Sequence, residues 1–219
     1  MALDIFKKSW LDLKGDFWGT LGRRQDGRAL WLLGGGLALF LELFSWAFFQ
    51  TFLRLNPCEL CVYIRFSMIG IFAGAMIGAL NPRNIFLKLA AYITVWWWII
   101  QGLIWDIRLE TENLRAAADP GFISLCRPAD LRFPFGLKLD EWLPAHFQPL
   151  AACGQDSAWS LLGLNMSEWL FPVYGGFAVA VSLMFISWLL QLSRARQAAV
   201  GKGNAENRSG SKDRRCLRG

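Results

Sequence analysis

Four apolar stretches constrain this sequence more than any other feature. They occupy residues 30–50, 62–80, 85–105 and 169–191, and each is long enough to cross a bilayer, which takes about 20 residues. Because a spanning segment must satisfy its own backbone polar groups, each stretch is predicted to be a helix. The chain is 54% hydrophobic with a mean hydropathy of +0.31, which is too apolar for an ordinary soluble domain. It is therefore predicted to be an integral membrane protein.

The distribution of basic residues predicts how these helices are oriented. Six Lys and Arg residues precede the first stretch and eight follow the last, whereas residues 106–168 carry five basic and nine acidic residues. Cytoplasmic flanks are enriched in Lys and Arg, so both termini and the 81–84 turn are expected in the cytoplasm. Residues 51–61 and 106–168 are then expected on the outer side. The basic tails are expected to contact anionic lipid rather than nucleic acid, because they lack interleaved aromatic residues.

These features predict an all-α membrane protein, namely an antiparallel four-helix transmembrane bundle with a long outer loop. Residues 1–29 are predicted to be a cytoplasmic arm that is not cleaved, and residues 192–219 a cytoplasmic basic tail. The Pro- and aromatic-rich residues 133–144 of the loop predict a short interfacial helix. A series of small residues on the second span predicts close helix packing: Gly70, Gly74 and Gly78.

Four of the five cysteines fall on the outer side of this topology. Cys58 and Cys61 lie where the second span begins, and Cys126 and Cys153 lie in the long loop. Disulfides persist outside the cell membrane but not in the reducing cytoplasm, where Cys216 is expected. The outer pairs are consistent with passive bracing or with thiol–disulfide exchange. A metal site is a third interpretation, but the wide spacing of the loop pair and the single histidine do not match zinc-ligand spacing.

The Cys-x-x-Cys motif is predicted to open a helix. Asn56 is predicted as the N-cap and Pro57 as the first helical residue, which places Cys58 in the first turn. Cys61 would lie on the same face, followed one turn later by Arg65. A helix N-terminus and a guanidinium both favour the thiolate, which is the reactive form of cysteine.

Two outer cysteine pairs, one in a loop and one at the bilayer, favour a relay of electrons. The loop pair would exchange with a soluble thiol protein, and the helix pair would pass two electrons to a lipophilic acceptor. The sequence has no haem-ligand, flavin or nucleotide-binding motif that would supply such an acceptor. A membrane quinone is therefore the predicted acceptor.

Two further ionisable residues have open interpretations. Glu42 lies near the middle of the first span, where an acid is costly and should face the bundle. It is either a hydrogen-bonded structural acid or a proton site for quinone chemistry, and a direct pair with Arg65 is left open. His146, the single histidine, is either an ordinary loop residue or a catalytic one.

Two motifs resemble the DsbB family of bacterial inner-membrane disulfide-forming proteins. The first resembles the family's active-site segment: Pro57-Cys58-Glu59-Leu60-Cys61-Val62-Tyr63-Ile64-Arg65. The second covers the region around the last loop cysteine: Glu141-Trp142-Leu143-Pro144, Cys153, Trp159, Leu162-Gly163-Leu164-Asn165-Met166 and Trp169-Leu170. The likeness runs from about residue 30 to residue 191, and the long arm and basic tail are similar to the DsbI branch.

The resemblance implies a quinone-dependent protein-disulfide oxidoreductase with its long loop in the periplasm. A reduced thioredoxin-fold dithiol oxidase, similar to DsbA or DsbL, would attack Cys126, whose resting partner is Cys153. Cys58 would then resolve with Cys126, leaving Cys61 as a thiolate against ubiquinone or menaquinone. Arg65 would stabilise that thiolate and the developing quinone anion.

The sequence departs from the family pattern before the loop cysteines. About thirteen residues before Cys126 the family often has Glu-His near the quinone, whereas this chain has Glu112-Asn113. The resemblance therefore makes Glu112 and Asn113 candidates for quinone binding. Proton donation would fall to one of these residues, to Arg65 or to water.

Overall fold

Four long helices dominate the structure, a computed structural model that describes residues 17–119, 126, 131, 133–153 and 160–216. At residue 135 and over residues 198–216 it describes the backbone alone. Four helical segments are long and apolar enough to cross a membrane: Arg28–Phe52, Glu59–Leu80, Ile85–Ala118 and Met166–Gln197. The predicted all-α membrane fold is confirmed.

The elements follow one another along the chain with short connections inside the bundle. Helix α1 spans Phe17–Gln25, α2 spans Arg28–Ser45 and continues as a π-helical segment over Trp46–Phe52, α3 spans Glu59–Leu80 and α4 spans Ile85–Ala118. Between α4 and α7 lies the segment that the sequence predicts on the outer side, called the outer segment below. It holds a 3-10 turn at Pro134–Gly136, α5 at Leu139–Trp142, α6 at Pro144–Phe147, and an antiparallel hairpin of β1, Ser160–Leu161, with β2, Leu164–Asn165. Helix α7 spans Met166–Cys216.

Helix α4 is longer than the apolar stretch that predicts it. The stretch ends at residue 105, but the helix continues to Ala118. Residues 106–118 contain neither Gly nor Pro, and Pro120 follows shortly after the helix ends, so the backbone has no reason to stop at the last apolar residue. Similarly, the predicted interfacial helix is divided into the short α5 and α6, which meet at Pro144.

Helices α3 and α4 form an antiparallel pair across the predicted turn. The side chain of Asn84 caps α4 by accepting a hydrogen bond from Phe86 N at 2.9 Å. Farther along the pair, a Cβ atom at Gly70 would overlap the Trp98 ring, and one at Gly74 would press on Val95. The small residues therefore permit the close packing that the sequence predicts.

The chain divides into two compact units. Gly27–Val181 contains α2 to α4, the outer segment and the first part of α7. In this unit α3 is the central helix, since every residue from Leu60 to Met68 is buried. A helix buried on all sides is enclosed by protein rather than lipid, so the cysteine motif at its start also lies inside. In the second unit, Gln25 of α1 donates a hydrogen bond to Ser187 Oγ of α7 at 3.2 Å.

Candidate thiol–disulfide site

The helix cysteine pair lies at the start of α3, but the helix begins two residues later than predicted. Cys58 itself is the N-cap, with an extended backbone, and its sulfur accepts a hydrogen bond from Cys61 N at 3.4 Å. The predicted cap at Asn56 is therefore wrong, and Pro57 lies before the helix. The reason is long-range pairing: Pro57 O accepts hydrogen bonds from Leu150 N and Ala151 N, which keeps the chain extended there.

The two sulfurs of this pair are adjacent and shielded from solvent. Cys58 Sγ and Cys61 Sγ lie 2.8 Å apart, and the residues are 1% and 6% exposed. Both belong to the buried core of the bundle. A large soluble protein therefore has little access to either sulfur.

The loop cysteine pair forms a disulfide between two outer segments. Cys126 and Cys153 are bonded, with a Cα–Cα distance of 5.8 Å. Cys153 is 4% exposed and lies in the same core as Cys58 and Cys61, whereas Cys126 is half-buried at its edge. Cys126 is thus the most accessible of these four sulfur-bearing residues.

The loop is attached to the bundle by backbone pairing and by aromatic packing. Ala151 forms a parallel bridge with Cys58, which brings the segment leading to Cys153 alongside the start of α3. Phe133 is 4% exposed, and its ring packs edge-on against those of Tyr63 and Phe66 at centroid distances of 5.7 and 5.3 Å. These contacts hold the two cysteine pairs in one cluster.

A cavity of about 280 Å³ lies beside the helix pair, lined mainly by apolar side chains of α2, α3, α4 and α7. Of the four cysteines in the two pairs, all of which the structure describes, Cys61 alone lines it. Glu42 and Arg65 are the acidic and basic residues in its wall. The cavity therefore offers one cysteine, one acid and one guanidinium to an otherwise apolar molecule.

Arg65 is buried at 4% exposure and is held by residues outside its own helix. Its Nη1 donates to Gln50 Oε1 at 2.6 Å and to His146 O at 3.4 Å. Among the residues that the structure describes, its Nε has no hydrogen-bond partner. A buried donor of this kind is costly unless something else satisfies it, so Arg65 is suited to an added acceptor.

Glu42 pairs with His146 rather than with Arg65. His146 Nε2 lies 2.8 Å from Glu42 Oε1 but is not aligned for a hydrogen bond, so among the described residues Glu42 Oε1, like Arg65 Nε, has no hydrogen-bond partner. The two side chains are 19% and 3% exposed. The adjacent Ala145 O accepts hydrogen bonds from Trp46 and Gln50 of the π-helical segment at 3.4 and 2.9 Å. Such π-helical insertions often occur at functional sites, and this one fixes the loop over the first span.

Glu112 and Asn113 lie on the outer part of α4 but do not line the cavity. Asn113 is buried and donates a hydrogen bond to Ser167 Oγ at 3.0 Å. Glu112 forms an ion pair with Arg115 at 3.4 Å. The nearest lining residue on that helix is Leu109, one turn earlier.

Sequence reasoning missed Gln50 and the proximity of Glu42 to His146. Gln50 is a polar residue at the outer end of an apolar span, which is a signal that could have marked it. The pairing of Glu42 with His146 joins a span to a distant loop, and no local pattern in the sequence records it.

The comparison with protein families is decisive for the class of this protein. Residues 27–184 match the family described as "Disulfide bond formation protein DsbB". The chain belongs to the DsbB family. Its relatives include proteins named DsbI from Shewanella oneidensis, 36% identical over 82% of this chain and 90% of the relative, and from Campylobacter fetus, 34% identical over 88% and 100%. The protein-disulfide oxidoreductase DsbI of Salmonella typhimurium is 36% identical over 78% and 79%.

Membership of the DsbB family agrees with the site. Together with the names of these relatives, it supports a membrane protein-disulfide oxidoreductase, as the cysteine pairs predict. The four apolar helices and the DsbB family also support a multi-pass protein of the inner membrane.

Proposed function

We propose that this protein oxidises a soluble thioredoxin-fold dithiol oxidase of the DsbA or DsbL type and passes two electrons to a membrane quinone. The observation that carries the proposal is the position of Cys61, which belongs both to a buried pair beside the loop disulfide and to the wall of the apolar cavity. A single residue thus connects disulfide exchange to the lipid phase.

The first step would take place at the loop pair. A partner thiolate attacks Cys126, the half-buried sulfur, and breaks its bond to Cys153. The second partner thiol then displaces the mixed disulfide, so that the partner is oxidised and the loop pair becomes a dithiol. The exposure of the two residues supports attack at Cys126, because Cys153 is nearly inaccessible.

The second step would move the electrons from the loop to α3. The loop dithiol reduces the Cys58–Cys61 disulfide, with a Cys58–Cys126 bond as the intermediate link, and the loop disulfide is restored. The bridge between Cys58 and Ala151 supports this exchange, because it holds the loop chain against the cap of the helix.

The third step would take place in the cavity. A quinone such as ubiquinone or menaquinone supplies an acceptor of two electrons and two protons when bound there. The residues fit such a group: an apolar wall suits its ring, and Arg65, with its unsatisfied Nε, suits a carbonyl oxygen that gains negative charge. Cys61 delivers the electrons, and the Cys58–Cys61 disulfide forms again.

The orientation in the membrane follows from the charge distribution. Both basic termini would lie in the cytoplasm, and the two cysteine-bearing segments would face the periplasm. Only this arrangement places the disulfides in an oxidising compartment and within reach of a soluble partner.

The proposal is tested with purified protein, a reduced thioredoxin-fold partner and a soluble quinone analogue, by following quinone absorbance. Loss of quinone should require all four outer cysteines, and Cys216→Ser should serve as the matched control with an unchanged rate. A rate indifferent to Cys58→Ser or Cys126→Ser would instead favour a membrane scaffold with two structural disulfides. Stoichiometric zinc without quinone dependence would favour a metal-binding assembly factor.

A further inference from the structure

The wall of the cavity contains an acid that disulfide exchange does not use. Glu42 lies on α2, is 3% exposed and lines the same cavity as Cys61 and Arg65. An ionisable residue within a membrane span is expensive, and by default it indicates a functional site that has a definable partner. A carboxyl group in this position can exchange a proton with a molecule bound in the cavity.

The residue next to Glu42 belongs to the outer segment and not to a membrane span. His146 Nε2 lies 2.8 Å from Glu42 Oε1, and the imidazole belongs to α6 in the outer segment. The histidine side chain is 19% exposed whereas the acid is 3% exposed, so the pair extends from the cavity wall towards the outer surface. Each of the two groups both accepts and donates protons.

The surroundings of this pair fix its geometry. The ring of His146 lies between Trp46, at a centroid distance of 5.8 Å, and Phe147, at 4.8 Å. The neighbouring Ala145 O is held by two side chains of the π-helical segment, and His146 O accepts from Arg65. The imidazole is therefore positioned by the same contacts that close the outer segment over the cavity.

Few other groups compete for this role. Besides Glu42 itself, the ionisable side chains that line the cavity are Cys61 and Arg65 of α3. The buried Tyr174 of α7 does not line the cavity but interacts electrostatically with Glu42. In the described part of the chain, the residues of α4 and α7 that line the cavity are not ionisable: Leu109, Met166, Trp169, Leu170 and Val173. Glu112 and Asn113, where the resemblance places a proton donor, lie outside the wall.

The geometry points to Glu42 as the acid that protonates the quinone, with His146 returning a proton to it from the outer aqueous side. This inference rests on the proposed function. Oxidation of the two α3 thiols forms one S–S bond, releases two protons and sends two electrons to the quinone, which takes up two protons. One of the two protons that the quinone takes up comes from Glu42. The Glu42 carboxyl gives its proton to a quinone oxygen, and the resulting carboxylate is reprotonated by His146.

The test separates proton delivery from disulfide exchange. In Glu42→Gln, the rate of hydroquinone formation should fall roughly 10²-fold, which is the usual scale for losing a general acid. Quinone affinity, measured by quenching of tryptophan fluorescence, should stay unchanged, and so should reduction of the loop pair by the soluble partner without quinone. Glu141→Gln is the matched control, because Glu141 is an exposed acid in the segment that carries His146. This substitution should leave every rate unchanged.

A second variant keeps the inference testable if Glu42→Gln does not fold. His146→Ala should slow hydroquinone formation by a similar factor, and added imidazole should restore it, because its protonated form replaces the missing proton donor. Since His146 is the only histidine, its ring nitrogen resonances can be followed without assignment, and they should move in Glu42→Gln even without turnover.

Three results would overturn the inference. They are an unchanged rate in Glu42→Gln, a loss of quinone affinity equal to the loss of rate, or a His146→Ala variant that imidazole does not rescue. In each case, if the unmodified protein still reduces quinone with the partner, only the proposed proton route is wrong. If the unmodified protein reduces no quinone, the proposed function itself fails.

Discussion

The two cysteine pairs of this protein are built in opposite ways. Cys58 and Cys61 lie three residues apart at the start of a buried helix, and α3 places Cys61 in the wall of the cavity. Cys126 and Cys153 join two stretches of an outer loop, and their position depends on how that loop docks. A pair fixed on a helix suits transfer into a fixed site, whereas a pair in a loop suits exchange with successive partners.

The two cysteine pairs also differ in their exposure to solvent. The helix pair is buried, and so is Cys153, but Cys126 is half-buried at the edge of the core. In the proposed function, the soluble partner therefore meets the loop pair first, and electrons would reach the cavity through the contact between loop and helix.

The largest effect is expected when the accessible sulfur of the loop is removed. Cys126→Ser should abolish the mixed disulfide with the partner, because the partner's thiolate has no other accessible sulfur to attack. Cys153→Ser leaves Cys126 as a free thiol, which should form the mixed disulfide by attacking the disulfide of an oxidised partner and releasing the partner's second thiol. Non-reducing electrophoresis reads both results, after mixing each variant with reduced partner and, separately, with oxidised partner. Equal trapping by the two variants would remove the distinction between these cysteines.

A smaller effect, confined to the helix side, is expected from Arg65→Ala. Loss of a donor that stabilises developing negative charge should slow hydroquinone formation by roughly 10²-fold. The apparent quinone requirement should rise as well. Arg65→Lys should lie in between, because it keeps the charge and loses the fork of donors. Stopped-flow absorbance measures these rates, and reduction of the loop pair without quinone should not change. An unaltered quinone dependence would remove Arg65 from the site.

The smallest effect is expected from loosening the contact between the two regions. Phe133→Ala removes a buried ring that packs on Tyr63 and Phe66, and such truncations cost about 3–5 kcal/mol in a packed core. Electron transfer from loop to helix should slow several-fold, while each pair keeps its own chemistry. Trp142→Ala, 63% exposed in the same segment, is the matched control. Rapid-quench thiol labelling follows the transfer, and equal rates in both variants would show that docking does not limit it.

Much of the fold could be predicted from local patterns in the sequence. The four spans follow from apolar length, and the α3–α4 packing follows from Gly70 and Gly74. The end of α4 did not follow, because apolar length measures how much of a helix contacts lipid, whereas Gly and Pro decide where a helix ends.

The candidate site was predictable only where its residues are neighbours in sequence. Cys61 and Arg65 are one turn apart in the motif, and both line the cavity. The cap of α3 was misplaced because residues 57–58 pair with residues 150–151, and such pairing leaves no trace in the motif itself. The pairing of Glu42 with His146 was unpredictable for the same reason.

The most direct measurement tests whether the sulfurs of Cys58 and Cys126 come into bonding contact. A full-length protein carrying Cys61→Ser, Cys153→Ser and Cys216→Ser retains only Cys58 and Cys126. After mild oxidation, peptide mapping under non-reducing conditions should find an intramolecular Cys58–Cys126 disulfide, since the loop is docked against the cap of α3. If the two thiols remain unlinked, or link only between molecules, electrons cannot pass from the loop to the helix by disulfide exchange, and the account is contradicted.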